Sequence, residues 1–236
     1  QAHAGDQGFV LLLPTDFYIW SGVASVALTV VLLAVLPDRA GAALFRPLHL
    51  WRWQGKDARH WISGAVALAL IVLVGVGLYG SRDPLVNPLP LVIWTLWWVM
   101  LVTLQGLVMD HWRWINPFTG PAALLSYLTG ERAPLRYPRV LGYGPGMVGF
   151  VAFAGFLLAD IAPSDPARLA VVIGLYWLIN LAGLCLFGPR WLLSAECVTI
   201  LMRMFARMAV LGRHHGRLAL GLPGWQLLAR RPMPMG

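Results

Sequence analysis

The sequence predicts an all-α protein: a polytopic transmembrane helix bundle of five spans, with the N-terminus outside, the C-terminus inside and one cytoplasmic interfacial amphipathic helix. Three observations predict it. The 236 residues are 58% hydrophobic and only 12% charged, about half the roughly 25% charge of a soluble domain. Five apolar stretches reach the length of roughly 20 residues that a bilayer demands, at 17–36, 61–79, 89–109, 140–158 and 169–187, and none has an Asp, Glu, Lys, Arg or His inside it. Lys and Arg alternate through the intervening segments as 0, 5, 1, 4, 1 and 7, which is the positive-inside pattern.

Four regions follow: an extracytoplasmic segment 1–16, a five-helix transmembrane domain 17–188, an interfacial helix 189–212 and a cytoplasmic tail 213–236. The expected location is the inner membrane of a bacterium, with a periplasmic N-terminus. The polar start QAHAGDQG before the first span fits a segment exposed by signal-peptide removal. The net charge of +8 is topological, so the expected partners are the bilayer and other membrane subunits, and no nucleic acid.

The second span is uninterrupted. The third is introduced by DPLVNPLP, and it and the residues just after it hold five of the chain's twelve tryptophans, between 94 and 117. Trp94, Trp98, Leu101, Gln105, Val108 and Trp112 follow at spacings 4, 3, 4, 3 and 4, a packing seam of period 3.5. Gln105 lies on it, as interhelical glue or as the lining of a ligand pocket. The fourth span opens on Gly144, Gly146 and Gly149. This GxGxxG lacks the strand of a dinucleotide site and reads as small residues for close helix packing. Cys185 and Cys197 read as small buried residues.

Arg sits beside Trp after each helix running inward: Trp51, Arg52 and Trp53; Arg113 and Trp114; Arg190 and Trp191. These form an expected belt at the lipid headgroups. In 191–211, Glu196, Thr199, Arg203 and Arg207 make a polar stripe, so this helix should lie in the interface rather than cross. Arg203 and Arg207 join the lipid-contacting set. A bound phospholipid is expected and no other cofactor.

His60, Asp110 and His111 are the candidates for catalysis, on the same predicted face as His49, His214 and His215. A metal-activated hydrolase needs such residues to converge on one ion, and no HxH or HExxH spacing occurs. His3 alone, near the N-terminus, suggests copper handling.

The run NPLPLVIWTLWWVMLVTLQGLVMDHWRWINP at 87–117 resembles the signature of bacterial membrane proteins of the fenitrothion hydrolase-like family. HAGDQGFVLLLPTDFYIWSG resembles that family's processed start, and TILMRMFARMAVLG at 199–212 its later amphipathic helix. His111 and Phe118 depart from the pattern. The resemblance implies a multi-span fold, and its name implies an organophosphate-ester-like hydrolase. The residues themselves point to a membrane-embedded accessory or anchoring subunit of a larger complex, with the hydrolase and a small-molecule or copper-handling permease as alternatives.

Overall fold

The structure, a computed structural model, describes residues 15–35, 37–52, 58–130 and 133–229. It divides into two compact units, 1–44 and 45–236. The first holds α1 (Thr15–Val35) and the short α2 (Asp38–Leu44). Large apolar side chains cover α1 on all sides and are exposed, which suits a helix bathed in hydrocarbon.

In the second unit, α3 (Arg59–Tyr79), α4 (Pro88–Leu107) and α8 (Pro166–Phe187) are long and apolar enough to cross a membrane. Between them come the one-turn α5 (Trp112–Ile115), then α6 (Thr119–Thr129) and α7 (Gly144–Ala159). The rest comprises α9 (Pro189–Ser194), α10 (Cys197–Ala206) and α11 (Trp225–Ala229). Most of the chain is helical, as expected; among the described residues three helices are long and apolar enough to span, and α7 is only 16 residues long.

Local chemistry sets the helix starts. Asn87 Oδ1 accepts from Leu89 N, and Pro88 takes the first-turn position where its missing N–H costs nothing. The Asn87 amide donates to Val76 O and Ser81 O, closing the α3–α4 turn. Asp165 caps α8 through Arg168 N, with Pro166 behind it.

Two differences from expectation matter. Residues Leu91–Leu101 of α4 are π-helical, so each turn holds more residues than the 3.6 of an α-helix. The covered positions run 92–94, 97–98, 101–102 and 104–106 rather than on a strict 3.5 repeat. Secondly, the α-helical fold carries one small sheet in addition. LHLWR supplies β1 (Leu48–Arg52), and the end of the expected interfacial helix with the expected tail supplies β2 (Leu211–His214) and β3 (Arg217–Leu220), antiparallel in the order β1-β3-β2. Such short strands, far apart in the chain, show no period-2 run long enough to read.

The single helix expected at 189–212 is broken at Ala195–Glu196. Glu196 is buried and caps α10, accepting from Val198 N and Thr199 N. Glu196 and Thr199 therefore face protein, not water. Gly146 of α7 meets the break: a Cβ there would lie 2.5 Å from Ile200 Cδ1 and 3.3 Å from Ser194 O. Gly146, with Gly149 whose Cβ would lie 3.4 Å from Cys197 Sγ, thus serves a close helix crossing, whereas Gly144 meets nothing within 4 Å.

Candidate functional site

A polar knot and an apolar cavity share a wall in the middle of the second unit. The knot is built on Gln105, which is 0% exposed. Its Oε1 accepts from His111 N at 2.8 Å and Trp112 N at 3.0 Å; its Nε2 donates to Asp110 Oδ1 at 2.8 Å and Met202 O at 3.0 Å. One side chain so closes the turn after α4 and ties it to α10. Trp112 Nε1 and Asn116 Nδ2 both donate to Thr199 Oγ1, at 2.8 and 3.0 Å. Ser63 Oγ donates to Asn116 O and accepts from Gly120 N, joining α3 to α6. Buried polar groups need such partners, and here five helices, α3, α4, α5, α6 and α10, supply them.

Glu196 is the second polar centre. It accepts the Tyr176 hydroxyl as well as its own helix N–H groups, and Tyr176 Oη lies 3.3 Å from Cys197 Sγ. Burial pushes the Glu196 carboxyl above its usual range, against the lowering effect of the Thr199, Tyr176 and Val198 donors. Burial likewise raises the Cys197 thiol.

Beside these groups lies a cavity of about 440 Å³, walled by α3, α4, α7 and α8 and closed at one end by Trp112, Phe118, Tyr176 and Cys197. Its walls are almost wholly apolar and rich in rings. Trp98 packs on Phe153 at 4.9 Å between centroids and on Trp97 at 5.9 Å; Trp97 reaches Trp112 at 6.4 Å. The π segment brings Trp97 and Trp98 to the same wall, which successive α-helical positions, about 100° apart, reach less readily. Phe150 and Val172 line the cavity and are also 43% and 36% exposed, so it reaches the outer surface.

The candidate residues fall in different places. Trp98 and Trp112 line the cavity, Trp94 packs on Phe153 and Phe156 beside it, and Gln105 is in the knot. Trp97, Phe153, Tyr176 and Trp177 also line it and went unselected: nothing in an apolar run marks which side faces a void. Asn116 was missed because a short polar residue in a turn reads as a local cap, and Ser63 because a lone serine inside an apolar helix carries no pattern.

Asp110 and the His111 N–H are committed to Gln105, while His60 Nδ1 is 3.2 Å from Thr119 O and its Nε2 accepts from Arg59 Nε. Among the described residues no three of His, Cys, Asp or Glu are grouped to hold a metal ion. His3 and Trp53 lie outside the described residues.

The expected belt separates as well. Trp51 and Arg52 are exposed on β1, and Arg190 is exposed on α9. Trp191 is half-buried and turns its ring onto protein. Its ring stacks on Phe187 at 5.4 Å, its Nε1 donates to Asn180 Oδ1, and a Cβ on Gly183 would lie 2.2 Å from it. Arg113 and Trp114 are half-buried beside the knot. Arg203, also half-buried, donates to Leu193 O and holds α10 to α9.

No protein-family model, curated protein or solved structure matches this chain.

Proposed function

We propose that this chain is a multi-span membrane protein that holds one elongated apolar molecule, most simply a lipid acyl chain, between its helices, and serves as an accessory or anchoring subunit of an inner-membrane complex. The cavity carries this reading. Its volume of about 440 Å³ falls within the 300–1,000 Å³ typical of ligand pockets. Apolar walls left unfilled forgo the dispersion contacts that an occupant of matching character would supply. Filling by hydrocarbon supplies those contacts, and the nearly apolar walls exclude a charged occupant.

The outer faces support the membrane setting. Leu68, Ile71, Val72, Leu175, Leu178 and Ile179 on α3 and α8 are exposed, a patch that water would not tolerate and lipid would. Five spans with an outside N-terminus, and membership of the fenitrothion hydrolase-like family, belong to the same proposal; the basic alternation and the motif at 87–117 support them.

Native mass measurement of protein released from mild detergent tests it, with quenching of tryptophan by lipids brominated on the acyl chain. Wild type is expected to retain one lipid per chain and to be quenched. Ala152→Trp and Ala69→Trp, both on the lining, are expected to lose the retained mass while still folding. A bare chain, or unchanged quenching in both variants, would refute the proposal.

A further inference from the structure

The three-stranded sheet carries a feature that the cavity does not explain. Arg52 on β1 pairs with Arg217 on β3, and Arg217 pairs with His214 on β2. Residues in register share a sheet face. One row therefore crosses all three strands with two guanidinium groups and an imidazole in sequence. Like charges placed directly opposite destabilise a sheet, and among the described residues neither Arg52 nor Arg217 makes an ion pair.

The next row on that face is His49, Ala219 and Gly212. Ala219 is small and fully buried, a low gap in the central strand's row that neighbouring side chains cover, and Gln226 packs over Gly212. His49 Nε2 and His214 Nδ1 meet across that gap at 3.0 Å. His215 adds a third ring, 4.0 Å from His214 and 6.4 Å from His49 between centroids. It occupies the two-residue hairpin loop with φ 49°, followed by Gly216 at φ 73°. Such a loop needs positive φ at both positions, where Asn-Gly is the usual choice. A metal cation suits this face poorly, because Arg52 and Arg217 would repel it.

We propose that Arg52 and Arg217, with His49 and His214 beside them, form a binding site for a phosphate group. Guanidinium forks match phosphate oxygens in bidentate geometry, and imidazole N–H groups add donors. A bound phosphate turns the repulsive row into a bridged one. The group belongs to a lipid headgroup or to a soluble phosphate ester. The inference is independent of what fills the cavity.

The test uses the full chain in nanodiscs, with a His3→Ala change and a tag free of histidine. One arm compares retained lipid in phosphatidylcholine discs with and without phosphatidic acid. The other titrates inorganic phosphate in phosphatidylcholine discs, read by the fluorescence of Trp51, which lies next to Arg52. Selective retention of phosphatidic acid identifies a headgroup site; saturable binding of inorganic phosphate identifies a soluble-phosphate site. Either supports the proposal. Arg52→Gln and Arg217→Gln are each expected to weaken binding at least tenfold, and Arg52→Lys to weaken it by less. Arg136→Gln, a charge removed elsewhere, should leave it unchanged. The proposal is overturned if neither phosphatidic acid nor phosphate binds. It is equally overturned if Arg136→Gln weakens binding as much as Arg52→Gln, or if folded Arg52→Gln and Arg217→Gln bind like wild type. Should the Gln variants unfold, Arg52→Lys decides: wild-type affinity there refutes bidentate recognition.

Discussion

Replacing Gln105 with Leu removes four hydrogen bonds while keeping a side chain of similar bulk. No substitute acceptor on the new side chain reaches Trp112 N, and Trp112 is itself buried, whereas His111 N keeps its bond to Met109 O at 2.9 Å. A buried N–H left unsatisfied costs about 1–3 kcal/mol, and Trp112 N sets that scale here. Loss of the donors to Met202 O and Asp110 Oδ1 adds to the upper end, and the terms are not strictly additive because one side chain makes all of them. Gln105→Glu separates the halves: it keeps an acceptor for both N–H groups, loses both donors, and sets a second carboxylate beside Asp110. It is expected to be as damaging as Leu at neutral pH and to recover on acidification, when the new carboxyl protonates and donates again. Equilibrium unfolding in mixed micelles, followed by tryptophan fluorescence, measures both. If Gln105→Leu unfolds within about 0.5 kcal/mol of wild type, a shift typical of neutral surface substitutions, the knot does not hold α4 to α10.

Glu196 sets a pH dependence of known sign. Its folded-state pKa lies above the unfolded one because burial disfavours the charge. Its stabilisation is thus complete below the usual Glu value of about 4.3 and declines as pH rises through the folded value. Glu196→Gln should flatten the melting-temperature profile over that range, and an unchanged slope would exclude Glu196 as its source. Asp165 has the opposite sign: the Arg168 N–H, and then Arg82, hold its carboxyl below the usual range. Its contribution is present above the ordinary Asp range and disappears as pH falls through the lowered value. Asp165→Asn should keep the helix cap and remove this acid-side loss, as thermal melts at stepped pH would report. Two glycines make a matched pair. A Cβ on Gly120 would lie 2.4 Å from Gly64 N, whereas one on Gly155 meets nothing within 4 Å. Gly120→Ala should therefore destabilise by about 1–3 kcal/mol through overpacking, while Gly155→Ala should be neutral or gain up to about 1 kcal/mol of helix propensity. Equal effects in the two would contradict the α3–α6 close approach.

The sequence by itself determined the helices of the bundle, because long apolar runs with few charges have almost no other way to satisfy their backbone. It also marked Gln105 as a residue that must find partners, and the glycines near 146 as a close crossing. These are local properties, readable from composition and spacing. Only the tertiary structure decided which groups meet. The π-helical turns that re-phase Trp97 and Trp98 depend on packing against other helices, and no single residue signals them. Glu196 looked like part of a wet stripe because it is charged; the chain break before α10 turned it inward as a cap. Trp191 looked like a headgroup anchor because it follows Arg190, but Gly183 leaves room for its ring inside. The strands carrying His49, Arg52, His214 and Arg217 lie some 165 residues apart, and hydrogen-bond pairing over that distance comes from the fold, not from periodicity.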